Sequence, residues 1–204
     1  MRYTGPKFKL CRREGINLFG TPKYDVRKRR KLPGQHGDKM PRLSEYGKLL
    51  RNKQVLKRIY QMSEKQFKRF VTDIAAKYSK NNNIDYDKAV KVTLERRLDA
   101  VLLRSGIAKT IMQARQMITH GHFLLNWKKH NIPSYLVKQG DVIELKEKLK
   151  NSPLYAEVNS NVKVPSYLKV NTADKKVEVL DLPRAEEIEV PADVLKVVEF
   201  YARA

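Results

Sequence analysis

The chain has 204 residues, 41% of them hydrophobic, with 43 lysines and arginines against 22 aspartates and glutamates, a formal charge of +21 and a pI of about 10.0. That length allows one or two domains with a modest core, and so basic a chain repels itself unless a polyanion neutralises it, nucleic acid being the usual one. A membrane is disfavoured, because no run of about 18 apolar residues and no long amphipathic helix is present; the chain start lacks the apolar stretch of a signal peptide, and one cysteine excludes an internal disulfide framework, so a reducing cytoplasm is the simplest setting.

Residues 1–42 hold nine glycines and prolines, which rule out long helices there. Between these breakers lie Arg12, Arg13 and the run Arg27, Lys28, Arg29, Arg30, Lys31. Residues 1–60 carry 18 basic and 4 acidic side chains, residues 61–150 carry 18 and 9, and residues 151–204 carry 7 and 9. Anion binding is therefore expected in the first three quarters, with the N-terminal stretch reading as a flexible basic tail that orders against phosphate.

Ser44 is a good N-cap for a helix that runs to Gln61, with Leu49, Leu50, Leu56, Ile59 and Tyr60 at helical spacing. Lys48, Arg51, Lys53, Lys57 and Arg58 are expected on its solvent side. Ser63 and Gln66 form a capping box for a second helix with Phe67, Phe70, Val71 and Ile74 inward. A third helix starts near Asp85 or Asp87 and either breaks before Arg96 or runs on. Leu98, Val101 and Leu102 make one apolar stripe; Arg97 and Arg104, seven apart, are placed on one side of that helix, which Gly106 ends. Lys109 to His120 makes a further helix. Ile111, Ala114 and Ile118 share one face, Lys109, Gln113, Gln116 and His120 the opposite one, and Arg115 lies between.

After Gly121 the period becomes that of strands. Phe123–Leu125 is a strand, followed by a turn over Asn126–Lys129; Tyr135–Val137 is extended, and Gly140-Asp141 turns into Val142–Leu145. Tyr167–Val170 and Val177–Leu180 form a hairpin. Pro183 and Pro191 mark a linker to a last helix from Ala192 to Tyr201, carrying Val194, Leu195, Val198 and Phe200 or Tyr201.

His120 and His122 flank one glycine and raise three readings: metal ligands, a catalytic pair, or contacts for a polyanion. Zinc needs four ligands, or three and water; His36 and His130 are distant, and Cys11 has no cysteine neighbour. No GxSxG, phosphate-binding loop, HExxH or paired-carboxylate pattern suggests catalysis, and Asp99 beside the apolar stripe reads as a capping or salt-bridging residue. Short helices with an arginine- and glutamine-rich face, followed by a small sheet, make a platform for phosphate, ribose and base.

The stretch ERRLDAVLLRSGIAKTIMQARQMITHGHFLLN, followed by NIPSYLVKQGDVIEL, resembles the alpha-L RNA-binding motif. RYTGPKFKLCRREG, PGQHG at residues 33–37, PRLSEYGKLLRNKQ, RIYQMSEKQF and the terminal VVEFYARA resemble the small-subunit ribosomal protein four family, bacterial or organellar type. The resemblance implies an α+β fold: a helical domain plus an alpha-L motif with a small, mainly antiparallel sheet. It implies a basic extension over 1–42, a helical domain over 43–91 completed by a helix at 192–201, an alpha-L domain over 92–182, and a linker and helix over 183–204. It further implies a structural, non-enzymatic component of the cytoplasmic 30S subunit, monomeric within the ribosome, without cofactor. Such a protein is a primary 16S rRNA binder that nucleates assembly of the 30S body. It neighbours small-subunit proteins three and five, lines the channel through which mRNA enters, and contributes to accuracy through protein five.

Carried onto this chain, the resemblance implies rRNA contacts from Arg2, Tyr3, Lys9, Arg12, Arg13, Gln35, His36, Gly37, Arg42, Tyr46, Lys48, Arg51 and Lys53. From the alpha-L motif it implies Arg97, Arg104, Thr110, Gln113, Arg115, Gln116, His120 and His122. Two departures stand out. Some members bind zinc through four N-terminal cysteines; here Phe8 takes the first position, Cys11 keeps the second, and the chain reads as a zinc-free form. The family's Asn-Gly turn is Asn126-Trp127 here, and a type I′ turn disfavours tryptophan at its second central position. Either the turn differs, or Trp127 is displayed on the surface to stack on RNA. The alternatives are an RNA-modifying enzyme that borrows the motif, and an mRNA-binding translational regulator.

Overall fold

Ser44 opens a helix of 15 residues. Its hydroxyl accepts the Gly47 N–H at 3.2 Å, and helix α2 follows over Glu45–Ile59. In the computed structural model, which describes residues 3–28, 31–39, 42–78, 85–155 and 162–202, Leu49, Lys53, Leu56 and Tyr60 are buried in turn along α2. A lysine thus sits inside the helix's core-facing stripe. Helix α3, Glu64–Tyr78, begins at a reciprocal capping box: Gln66 N–H donates to Ser63 Oγ at 3.3 Å, and Ser63 N–H to Gln66 Oε1 at 3.5 Å. Phe67, Val71 and Ile74 are its buried face.

The chain divides into two compact units, Met1–Val90 with Val190–Ala204, and Lys91–Glu189; the boundary falls within a helix over Tyr86–Glu95 (α4). In the first unit, the C-terminal helix α7 (Val194–Ala202) packs against α2 and α3 and buries Val194, Val197 and Phe200. Leu195, expected inward, is 62% exposed. The stripe steps by threes from Val194, which puts Val197 in the core and turns Leu195 outward. The segment read as a basic tail contains a helix over Lys7–Glu14 (α1), ended by Gly15 in the left-handed region at φ 73°. Cys11, Leu18 and Phe19 are buried, and the rings of Phe8 and Phe19 lie against Tyr24. Glu14, whose side chain is 3% exposed, accepts from Arg58 at 2.7 Å and Arg51 at 3.2 Å, which fastens α1 to α2.

In the second unit α4 stops at Glu95, and Arg97 is extended at φ −67°, ψ 138°, as the N-cap of helix α5 over Leu98–Arg104. Arg97 and Arg104 therefore do not share a helix, as their spacing had suggested. The orphan N–H groups that open α5 are satisfied from elsewhere: Leu98 donates to the Tyr135 carbonyl at 2.8 Å and Asp99 to that of Pro133 at 3.2 Å. Tyr135–Val137 accordingly contributes one bridge, Leu136 with Arg97, and joins no sheet. Helix α6 runs Ile111–Thr119. Five strands follow: β1 Phe123–Leu125, β2 Lys128–Lys129, β3 Val142–Leu145, β4 Leu168–Asn171 and β5 Lys176–Val179. They form one sheet in the order β2-β1-β3-β5-β4, every neighbouring pair antiparallel. Lys128 and Lys129, read as part of a turn, are strand residues paired with Leu125 and Leu124. Alternate residues Ile143 and Leu145 of β3 and Val177 and Val179 of β5 join Val101, Leu102, Met117 and Ile118 in a single buried cluster.

Candidate nucleic-acid interface

Helix α6 is built to expose one polar face. Thr110 is its N-cap, accepting from Gln113 N–H at 3.2 Å, while Gln113 Oε1 takes the Lys109 N–H at 2.8 Å. Ile111, Ala114, Met117 and Ile118 anchor the inner face in the core; Lys109, Gln116 and His120 are exposed and Gln113 is half-buried on the other side. The helix ends in a Schellman motif: Gly121 N–H donates to Ile118 O at 2.8 Å, and His122 N–H to Met117 O at 3.1 Å, with Gly121 at φ 67°. That motif fixes where both histidines point. His120 Nε2 lies 3.2 Å from the Gln116 amide nitrogen, and His122 Nδ1 lies 2.7 Å from the Tyr155 hydroxyl. The two rings sit edge to face at 5.9 Å. Burial, then the neighbouring His120 and Lys146, push the His122 imidazole below its ordinary pKa, which favours the neutral, hydrogen-bonding form.

The motif's arginines divide differently from the polar face of α6. Asp99, buried under the helices, is gripped by Arg97 through both carboxylate oxygens (3.1 and 3.0 Å) and by Arg115 at 2.7 Å. Glu95, also buried, takes a two-pronged contact from Arg104 at 2.9 and 2.7 Å. Carboxylates removed from water require such partners. Arg97, expected as an RNA contact, is 7% exposed and lies in this core ion pair. Arg115 and Arg104, with side chains 23% and 37% exposed, serve the fold first and keep one edge in solvent.

In the first unit Tyr3, Lys9, Arg13, Arg42, Tyr46 and Lys48 are exposed, Lys48 pairing with Glu45 at 2.6 Å. Arg12 donates to the carbonyls of Lys31 and Leu32 at 2.8 and 3.0 Å, so it braces the 33–37 loop. Gly37 closes that loop by accepting the Leu32 N–H at 3.1 Å; a Cβ there would come 2.1 Å from the Leu32 carbonyl oxygen, which only glycine avoids. Gln35 and His36 stand exposed on the loop. Lys53, expected as an RNA contact, is 5% exposed, pairs with Glu64 at 2.7 Å and lies over the Phe200 ring at 4.5 Å, so it binds helix to helix. Arg51 is drawn to Glu14. Arg2 lies outside the described residues.

A family profile described as the ribosomal protein S4/S9 N-terminal domain matches residues 2–86, and one described as the S4 domain matches residues 96–143. The chain is 41% identical to the small ribosomal subunit protein uS4 of Kosmotoga olearia and 42% identical to that of Thermotoga petrophila, each over 99% of both chains. It is 41% identical to that of Persephonella marina over 98% of both. This chain belongs to the uS4 family.

In this uS4 chain the S4-domain match spans α5, α6, the β1-β2 hairpin and the start of β3. It therefore contains both the Asp99 ion-pair centre and the exposed face of α6. Within that face the structure gathers Lys109, Gln113, Gln116, His120 and His122. Sequence reasoning left the hairpin lysines Lys128 and Lys129 unassigned; both are exposed, and their place directly after the Asn126-Trp127 turn was the available signal. The buried carboxylates Glu14, Glu95 and Asp99 decide which cations stay at the surface. Of these, only Asp99 has a charged partner close enough in sequence to advertise its role.

Proposed function

We propose that this chain is a structural component of the small ribosomal subunit, in the cytoplasm, that binds 16S rRNA through two basic surfaces. One is the outer face of α6 with His122 and the β1-β2 hairpin. The other is formed by exposed residues of the N-terminal unit, among them Lys9, Arg13, Gln35, His36, Arg42, Tyr46 and Lys48. In this reading it binds the rRNA early and nucleates the 30S body, neighbours small-subunit proteins three and five, and borders the path by which mRNA enters. The observation that carries it is the match to uS4 proteins along practically the whole chain; the charge of +21 and the exposed Lys109, Gln116, His120 row support it.

The test is binding of the purified full chain to a 16S rRNA transcript across a salt series. Affinity should fall on the order of a thousandfold between about 50 and 200 mM salt, and Gln116→Ala should weaken it by about 1 kcal/mol with no change in melting temperature. Salt-independent binding, or equal affinity for duplex DNA, would reject the reading. Small-subunit reconstitution with this chain left out addresses the assembly role: particles should stall before compaction of the body.

A further inference from the structure

Trp127 is the chain's single tryptophan and is 73% exposed. It stands second in the two-residue loop between β1 and β2, where the register pairs Leu125 with Lys128. Asn126 is at φ 48° and Trp127 at φ 63°, the left-handed pair that a type I′ turn requires. Asparagine tolerates this region; a bulky side chain does so at a cost that glycine avoids. Among the described residues the indole has no ring, cation or hydrogen-bond partner to offset that cost.

The turn is nonetheless held hard. Asn126 Nδ2 donates to Asp141 Oδ1 at 2.8 Å, its Oδ1 accepts the Val142 N–H at 2.8 Å, and its own N–H reaches the Val142 carbonyl at 2.9 Å. Asp141 is buried and also accepts the Lys138 N–H at 2.8 Å. The backbone that carries this apolar plate is thus fixed before any partner arrives, so little loop entropy remains to be lost on binding. Lys128 and Lys129 follow at once, both exposed and without an ion-pair partner among the described residues. The Lys129 stem runs over Gly121, 2.8 Å from where a Cβ would stand, which places the hairpin beside the His120 end of α6. A flat aromatic followed directly by two exposed cations, with the carboxylate that clamps the turn buried, complements an unstacked base and its phosphates. An acidic protein surface would leave the indole face unused.

We propose that Trp127 is a stacking platform for an unpaired nucleobase of the bound RNA, with Lys128 and Lys129 meeting the flanking phosphates. This rests on the rRNA-binding reading above. The experiment titrates the full chain with a 16S rRNA transcript, reading binding from a label on the RNA and, separately, the emission of the single indole and its quenching by acrylamide. Stacking predicts reduced emission and protection from acrylamide on binding. Trp127→Gly, which also relieves the backbone, should keep or raise the melting temperature yet lower affinity about fivefold or more; Trp127→Phe should recover most of the loss. The proposal is overturned if the RNA binds while emission and quenching stay unchanged, if Trp127→Gly binds as tightly as the parent, or if its affinity loss tracks a fall in melting temperature. Absence of any binding by the parent chain would reject the rRNA reading itself, and stacking with it.

Discussion

Two carboxylates, one in each unit, are held by two cations apiece, and they differ in how much water reaches them. Asp99 has a side chain 1% exposed and joins Arg97 at the start of α5 to Arg115 on α6. Glu64 has a side chain 46% exposed and joins α3 to Lys53 and Lys57 of α2, both at 2.7 Å, and to the Tyr201 hydroxyl of α7 at 2.9 Å. The chemistry is nearly the same, and the expected energetics are not. A buried centre is punishing to break because the remaining charges stay out of water. A half-exposed carboxylate is screened by the water that reaches it, so its charge contributes less. A count of ion pairs therefore says little about what holds this chain together; the burial of each carboxylate says more.

The largest effect expected from this contrast is that of Asp99→Ala. It strands the guanidinium of Arg97 and should cost about 3–5 kcal/mol of unfolding free energy, read from denaturant melts. A loss below about 1 kcal/mol would erase the distinction between the two centres. Ile118→Ala, a fully buried truncation in the same unit, calibrates the scale at about 3 kcal/mol. Arg115→Ala should fall below both, at about 1–3 kcal/mol, because Arg97 continues to neutralise Asp99. Arg115 read from sequence as an intermediate position with an RNA role; a measurable stability loss would place it with the core ion pair, and a loss of rRNA affinity alone would return it to the surface.

Much of the local geometry around the candidate interface was legible because it depends on local rules. The outer row of α6 follows from helical period, the end of α6 from Gly121, and the opening of α3 from Ser63 and Gln66. Asp99 was recognisable as an ion-pair residue since Arg97 stands two positions away. What stayed hidden depends on contacts between distant residues. Glu14 recruits Arg51 and Arg58 from 37 and 44 residues along the chain, which no period reports. Lys53 was in principle visible: it falls at the step between Leu49 and Leu56 in an apolar stripe, yet its charge argued for solvent. Tyr135–Val137 has strand composition but gives the Tyr135 carbonyl to the start of α5 and the Val137 carbonyl to the Arg96 side chain. The Asn126-Trp127 turn keeps left-handed geometry against the preference of its second residue, because Asn126 is clamped to Asp141 and Val142.

The smallest expected effect tests the exposed centre. Burial opposes the charge on Glu64, but hydrogen bonds from Lys53, Lys57 and Tyr201 outweigh it and hold the carboxyl at about 2, against 4.5 ordinarily. A depressed folded-state pKa contributes stability that is complete above the unfolded value and disappears as the pH falls through the folded one. The contribution should therefore be present at neutral pH and decline between about pH 4.5 and 2. With nearly half the side chain in solvent, screening should keep it below about 1 kcal/mol. The comparison is the parent chain against Glu64→Gln, which keeps the shape and removes the charge. The parent should be slightly more stable at pH 7, the gap should close as acid protonates Glu64, and added salt should narrow it at neutral pH. A gap that persists unchanged at pH 2.5 would mean that the carboxylate's charge does not bind α2, α3 and α7 together. One larger than the Asp99→Ala loss would mean that burial does not rank these two centres.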